Sequence, residues 1–122
     1  MWNVVERRVE RSSSLDNALE LLLRTQRARG EMDLMLLATA DGVIVASDGP
    51  SEVCEELAAY APLLARGLAL TIDSKRLRGV SVHAFMVGRQ EMVLATRGGV
   101  DDSLTSALAL ASIQGATRIL RG

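Results

Sequence analysis

The stretch Leu36-Leu37-Ala38-Thr39-Ala40-Asp41-Gly42-Val43-Ile44-Val45-Ala46-Ser47 decides the architecture. Two short apolar runs, Leu34–Ala40 and Val43–Ser47, flank an Asp-Gly pair. Asp-Gly between such runs is the strongest short signal for a β-hairpin, because both central residues of a type I′ turn need positive φ. The runs are nearly continuous in apolarity rather than alternating. Both faces of these strands must therefore be covered, which calls for helices on at least one side of the sheet.

Working upstream, Leu15, Leu19, Leu22, Leu23 and Gln26 follow helical spacing. Ser13, with Asp16 three residues on, is a variant of the capping box. Arg27 and Arg29 suit the negative end of a helix, and Gly30 suits the left-handed residue beyond it. The spacing predicts a helix over Ser14–Arg29. Residues 1–14 then form an N-terminal arm ahead of a single domain spanning 15–122. Trp2, Val5 and Val9 fit a short amphipathic helix, Asn3–Val9 fits an edge strand equally well, and Ser12-Ser13-Ser14 breaks the pattern.

Downstream, Pro50 or Ser51 opens a second helix whose first turns carry Glu52, Glu55 and Glu56, as the positive helix end favours. It is predicted to reach about Leu70, bent at Pro62, which removes a backbone hydrogen bond. Val80–Val87 alternates, with Val80, Val82, Ala84 and Met86 on one face and Ser81, His83 and Phe85 on the other. Gly88-Arg89 fits a type II′ turn into a strand over Gln90–Thr96. Gly98-Gly99 reads as a flexible break, and Asp101 or Asp102 caps a last helix running to about Leu120. Gly115 inside that helix is costly unless something packs closely there. The fold class is an α/β (α+β) sandwich: an antiparallel sheet of 4–5 strands flanked by three helices, in the order α-β-β-α-(β)-β-β-α.

Composition excludes several function classes. The 122 residues are 48% apolar with a net charge of -1, so the basic excess typical of phosphate neutralisation is absent and no nucleic acid is expected. One cysteine (Cys54) and one histidine (His83) leave no intramolecular disulfide and no Cys- or His-pair metal site. Aromatic residues make up 2%, which argues against stacking platforms for bases. The N-terminus is charged from Glu6 onward and has no apolar leader. The apolar runs fall short of the roughly 18 residues that a membrane span needs. A cytoplasmic chain without membrane insertion is the expectation.

No catalytic constellation is legible. Cys54 and His83 are the only candidates for a nucleophile and its base, and they lie on separate elements. Asp101 and Asp102 read as helix caps rather than paired catalytic acids. Gly98-Gly99-Val100-Asp101-Asp102 lacks the Lys and Ser/Thr of a phosphate loop, and its two acids repel phosphate. The second helix carries the stronger signal. Val53, Leu57, Ala61, Leu64 and Leu68 form its core stripe. Ala59, Leu63 and Leu70 fall on the opposite, charged side with Glu55, Glu56 and Arg66, as in a partner patch rimmed by charge.

The Leu36–Ser47 segment, with its hydrophobic strand, Asp-Gly turn and aliphatic strand ending in Ala46-Ser47, followed by an acidic-capped Ala/Leu helix, resembles the Roadblock/dynein-light-chain family. The order of elements extends the resemblance over roughly Leu15 to Leu120, by pattern alone in the C-terminal half. The family carries three strands between its second and third helices. Two are read here, and a third would have to come from the short, charged segment Thr71–Gly79. The resemblance implies a small homodimerising scaffold that binds partner proteins, of the bacterial type associated with small Ras-like GTPases. In some members two helices of the dimer form a platform that pushes the GTPase toward its active arrangement without supplying a catalytic residue.

The expected function is accordingly a non-enzymatic homodimeric interaction module, without cofactor or metal, that binds or regulates a small Ras-like GTPase as scaffold or activating platform. Its partner and dimer surface is expected at Glu55, Glu56, Ala59, Leu63, Arg66 and Leu70. A structural adaptor without nucleotide dependence is the competing reading, followed by a small-molecule sensor domain. The lack of a polar cluster in the core pattern counts against the sensor.

Overall fold

The structure, a computed structural model, describes residues 2–66 and 78–121. Within them the chain forms α1 (Trp2–Gly30), β1 (Met32–Thr39), β2 (Ile44–Asp48), α2 (Ser51–Ala65), β3 (Val80–Val87), β4 (Gln90–Gly98) and α3 (Asp102–Arg121). The strands make one antiparallel sheet in the order β2-β1-β4-β3. Two local hairpins are thus joined along a central β1–β4 seam. Three helices around an antiparallel sheet is the architecture the sequence predicts.

Alternation along the strands sorts the core into two layers. Met35 and Leu37 of β1, with Met92 and Leu94 of β4, face α1 and α3, where they meet Leu19, Leu23, Leu108, Ala109 and Ala116. Leu34, Leu36 and Ala95 face α2, packing with Cys54, Leu57 and Ala58. Ala38 and Val93 extend that layer to Ala61. The near-continuous apolarity of β1 is the signature of this double covering.

Two bulges adjust the register. Met32 pairs with Gly98 and Leu34 with Arg97, so Asp33 is an extra residue. It turns Met32 to the α1/α3 side, whereas strict alternation would put it under α2. Leu37 pairs with Ala46 and Ala38 with Ile44, leaving Val45 extra, so Val45 joins Ala46 in the layer under α1 and α3.

Several local details differ from expectation. The first helix begins at Trp2, not near Ser14, so residues 2–14 are the helical alternative for the arm, and Ser12-Ser13-Ser14 lies inside α1. Serine costs a helix only a few tenths of a kcal/mol per residue relative to alanine, about 0.5 kcal/mol, which is too little to end one. Gly30 is the last helical residue rather than the left-handed one after it. The positive φ of 51° belongs to Glu31. A Cβ at 30 would lie 2.7 Å from Met32 Cε and 2.9 Å from Leu108 Cδ1, so both side-chain ends would have to shift to admit it.

The Asp41-Gly42 hairpin is present, but with a longer turn than a type I′ pair. The Gly42 amide donates to the Thr39 carbonyl (2.9 Å) and the Thr39 amide to the Val43 carbonyl (2.9 Å). Only Gly42 has positive φ, 87°. This is the three-residue pattern in which a turn is closed by a left-handed glycine. Gly88, with φ of 61°, opens the expected two-residue turn between Val87 and Gln90.

Helix α2 ends at Ala65 instead of about Leu70, with the Arg66 amide donating to the Leu63 carbonyl (3.2 Å). It runs through Pro62 without dividing. Pro62 supplies no N–H to the carbonyl of Ala58, four residues earlier. The hairpin turn closes on that same carbonyl: a Cβ on Gly42 would stand 3.0 Å from it. Leu70 lies outside the described residues, as does most of Thr71–Gly79. Gly98-Gly99 is a tight crossing rather than a loose break. A Cβ on Gly98 would reach 2.8 Å from Asp33 Oδ2, and one on Gly99 would meet Thr105 Oγ1 at 2.4 Å. Asp101 is the cap of α3, its Oδ1 accepting from the Leu104 amide (2.9 Å).

Candidate partner-binding surface

Helix α2 lies over the sheet on Cys54, Leu57, Ala58, Ala61 and Pro62, all buried. The core stripe predicted through Val53, Leu57 and Ala61 is rotated slightly, with Val53 only half-buried. The opposite face carries Glu52, Glu55, Ala59, Leu63 and Arg66, all exposed and spaced by three or four residues as one stripe. Glu56 beside it is half-buried. Of the residues expected at the surface patch, Glu55, Ala59, Leu63 and Arg66 therefore share one exposed stripe, and Glu56 flanks it.

The stripe has an apolar middle and charged ends. Leu63 is 41% exposed and Tyr60 36%. Glutamates occupy its N-terminal half and Arg66 its C-terminal end. Arg66 Nη2 sits 3.6 Å from Glu91 Oε2 on β4, and Glu91 is the cross-strand neighbour of Met86. Met86, 55% exposed, and Ala84, also exposed, lie on the same sheet face beyond the cover of α2. The Arg66–Glu91 ion pair thus stands between the stripe on α2 and the exposed Ala84 and Met86 of β3. Ala84, Phe85, Met86 and Glu91 line a shallow cavity of about 190 Å³ there. The alternation of Val80, Val82, Ala84 and Met86 is plain in the sequence. That α2 stops short of the last two is a tertiary fact with no sequence signal.

The reactive candidates do not assemble. Cys54 is buried under α2, while His83 projects on the opposite face of the sheet, among residues that line the α3 side. Burial pushes the Cys54 thiol above its ordinary value, opposed by the hydrogen bond with Ser47 and by the charge of Arg97, while Asp48 adds to the rise. A neutral buried thiol is a poor nucleophile. Among the described residues no group of three or more His, Cys, Asp or Glu is placed to hold a metal ion. No described helix is long and apolar enough to cross a membrane.

No family model matches the chain, and no curated protein matches it in sequence. The solved structure of Myxococcus xanthus MglB is similar to it with a TM-score of 0.49 and 15% sequence identity, covering 85% of each chain.

Proposed function

We propose that this protein is a non-enzymatic interaction module that pairs with a second copy of itself through the exposed face of α2 and, as a dimer, engages a small Ras-like GTPase as a scaffold or activating platform. The observation that carries the self-association is the symmetry of the stripe about Ala59. Glu55 and Leu63 lie one helical step either side of it, and Glu52 and Arg66 two steps. An antiparallel, two-fold pairing centred on Ala59 sets Glu52 of each copy against Arg66 of the other. The small Ala59 side chain lets the two helices approach closely. The ion pair of Arg66 with Glu91 is an exposed one, contributing about 0–1 kcal/mol, so it does not oppose such an exchange.

Size sets the extent of the surface. A helix of 15 residues is about 22 Å long and about 10 Å wide, a footprint well below the roughly 800 Å² per partner of a stable interface. The interface therefore takes in Met86 and Ala84 of β3 as well. The GTPase assignment rests on the resemblance of the Leu36–Ser47 segment to the Roadblock family and on the helix-sheet order that accompanies it.

Leu63→Glu places a charge in the stripe one helical step from Ala59, at a side chain that is 41% exposed in the single chain. Light scattering is expected to fall from the dimer mass to the monomer mass with the circular dichroism spectrum unchanged. An unchanged mass defeats the dimer reading. Pull-down against a small GTPase loaded with GTP or GDP tests the partner. Capture in one nucleotide state supports a regulator, equal capture supports the structural adaptor, and no capture removes the GTPase from the account.

A further inference from the structure

Helices α1 and α3 lie side by side on one face of the sheet, and each turns one side away from the core. On α1 that side carries Ser14, Asn17, Leu21, Thr25 and Ala28, all exposed and spaced by three or four residues. On α3 it carries Ser103, Ala107, Leu110 and Gln114, also exposed. The outward side of a surface helix ordinarily holds its charges. None of these nine residues is charged, in a chain that is 24% charged. Arg24 and Arg27 turn sideways to Asp48 at the end of β2, and Arg29 to Gln26 on its own helix. Arg118 and Arg121 stand at one end, in the last turn of α3. Two large apolar side chains rise from the neutral surface, Leu21 at 61% exposed and Leu110 at 56%.

Covering this surface strips little from it. Thr25 Oγ1 donates to the Leu21 carbonyl (2.8 Å) and Thr117 Oγ1 to the Ile113 carbonyl (2.7 Å). Both hydroxyls are satisfied within their own helices, so neither is orphaned when water leaves. The relief of the surface is set by the way the helices lie. Gly30 abuts Leu108 and Gly115 abuts Leu22, so α1 and α3 run antiparallel. Counted along the helices from those two contacts, Leu110 stands level with Ala28, and Leu21 level with Ala116 and Thr117. Each large side chain on one helix therefore has small ones beside it on the other.

From this surface we infer a second self-association site: the outer faces of α1 and α3 pair with those of another copy, α1 of one against α3 of the other. A two-fold axis parallel to the helices does this and keeps each residue at its own level. Leu110 then falls on Ala28 of the second copy and Leu21 on its Thr117, in a bundle of four helices with antiparallel neighbours. The stripes bring no like charges together, so the face is complementary to itself. From Ser14 to Gly30 α1 spans about 25 Å, and two adjacent helices are about 20 Å across, a footprint of about 500 Å² per copy. Twice that is about 1,000 Å², the lower limit of a specific interface. With only two large anchors and no aromatic or arginine at its centre, the pairing is weak and belongs to high concentration. It rests on neither the α2 pairing nor the GTPase reading. Because α2 lies on the opposite face of the sheet, copies held at the two surfaces do not meet, and a chain that uses both builds an open stack.

Sedimentation equilibrium of the full chain, from micromolar to millimolar concentration, tests it. The average mass is expected to hold at the dimer in dilute solution and to climb past it as concentration rises. Leu110→Arg and Leu21→Arg each alter a side chain more than half exposed in the single chain, so the circular dichroism spectrum is expected to stay unchanged. Both are expected to abolish the climb and leave the dilute mass as it is. Leu63→Glu separates the two surfaces: the dilute mass falls to the monomer, and the climb remains but ends at two copies. If Leu63→Glu leaves the dilute mass unaltered, the α2 pairing fails, and a climb lost in Leu110→Arg still supports the α1/α3 one. A mass that neither arginine variant lowers at any concentration overturns the proposal.

Discussion

Glu31 has a φ of 51°, a conformation that costs an L-residue about 1–2 kcal/mol and a glycine almost nothing. Glu31→Gly is therefore expected to stabilise the protein by about 0.5–1 kcal/mol in urea unfolding, after the added freedom of the unfolded chain is subtracted. Its neighbour has the opposite requirement. Gly30→Ala forces a methyl against Met32 and Leu108, at an expected cost of about 1–3 kcal/mol in the same measurement. Sequence reasoning assigns the left-handed role to Gly30 because glycine usually fills it. The crowding there comes from Met32, two residues on, and from Leu108, far along the chain, whose approach leaves no local trace. Cys54 adds a pH signature. Its thiol is raised in the fold by burial, so the stability it contributes is present below the ordinary thiol value of 9.0 and is lost as pH climbs from there through the folded value. Denaturation midpoints of the parent are expected to fall on that alkaline limb more steeply than those of Cys54→Ala.

At the scale of elements, Gly115 resolves a cost that the sequence alone leaves open. A Cβ at 115 would stand 3.0 Å from both terminal methyls of Leu22, so glycine is what lets α3 approach α1. Gly115→Val adds bulk and branching at that contact. The expected loss is about 1–3 kcal/mol, read as a lowered melting temperature and as faster amide exchange in α1 and α3 than in α2. The two hairpins were legible because Asp-Gly and Gly-Arg punctuate apolar runs, and the helices because their leucines recur at helical spacing. What escaped reading is set by contacts between elements. The Asp33 bulge depends on β4, and the closing of the hairpin turn on Ala58 depends on α2. The surface stripe was legible for the same reason as the core stripe, since both are helical periodicity. The exposure of Ala84 and Met86 beyond α2 was not.

For the whole molecule, the charge pattern of α2 offers a test of pairing geometry that hydrophobic substitution does not. Glu52→Arg and Arg66→Glu each set like charges together across an antiparallel dimer and are expected to weaken association severalfold in sedimentation experiments. The double substitution restores opposite charges and is expected to recover it. A pairing in any other register gives no recovery. The excess of aliphatic residues over aromatic ones then divides between two core layers inside and an exposed remainder on α2 and β3. The β1–β4 seam has a further consequence, in time rather than space. Each hairpin closes between neighbours, but Leu37 and Leu94 meet from nearly half the chain apart. The loop-closure entropy of that encounter must be met before the sheet exists as one body. During synthesis the first hairpin must wait with one side of β1 unpaired until β4 leaves the ribosome, so the strand most deeply buried in the finished protein is also the one longest exposed to strangers.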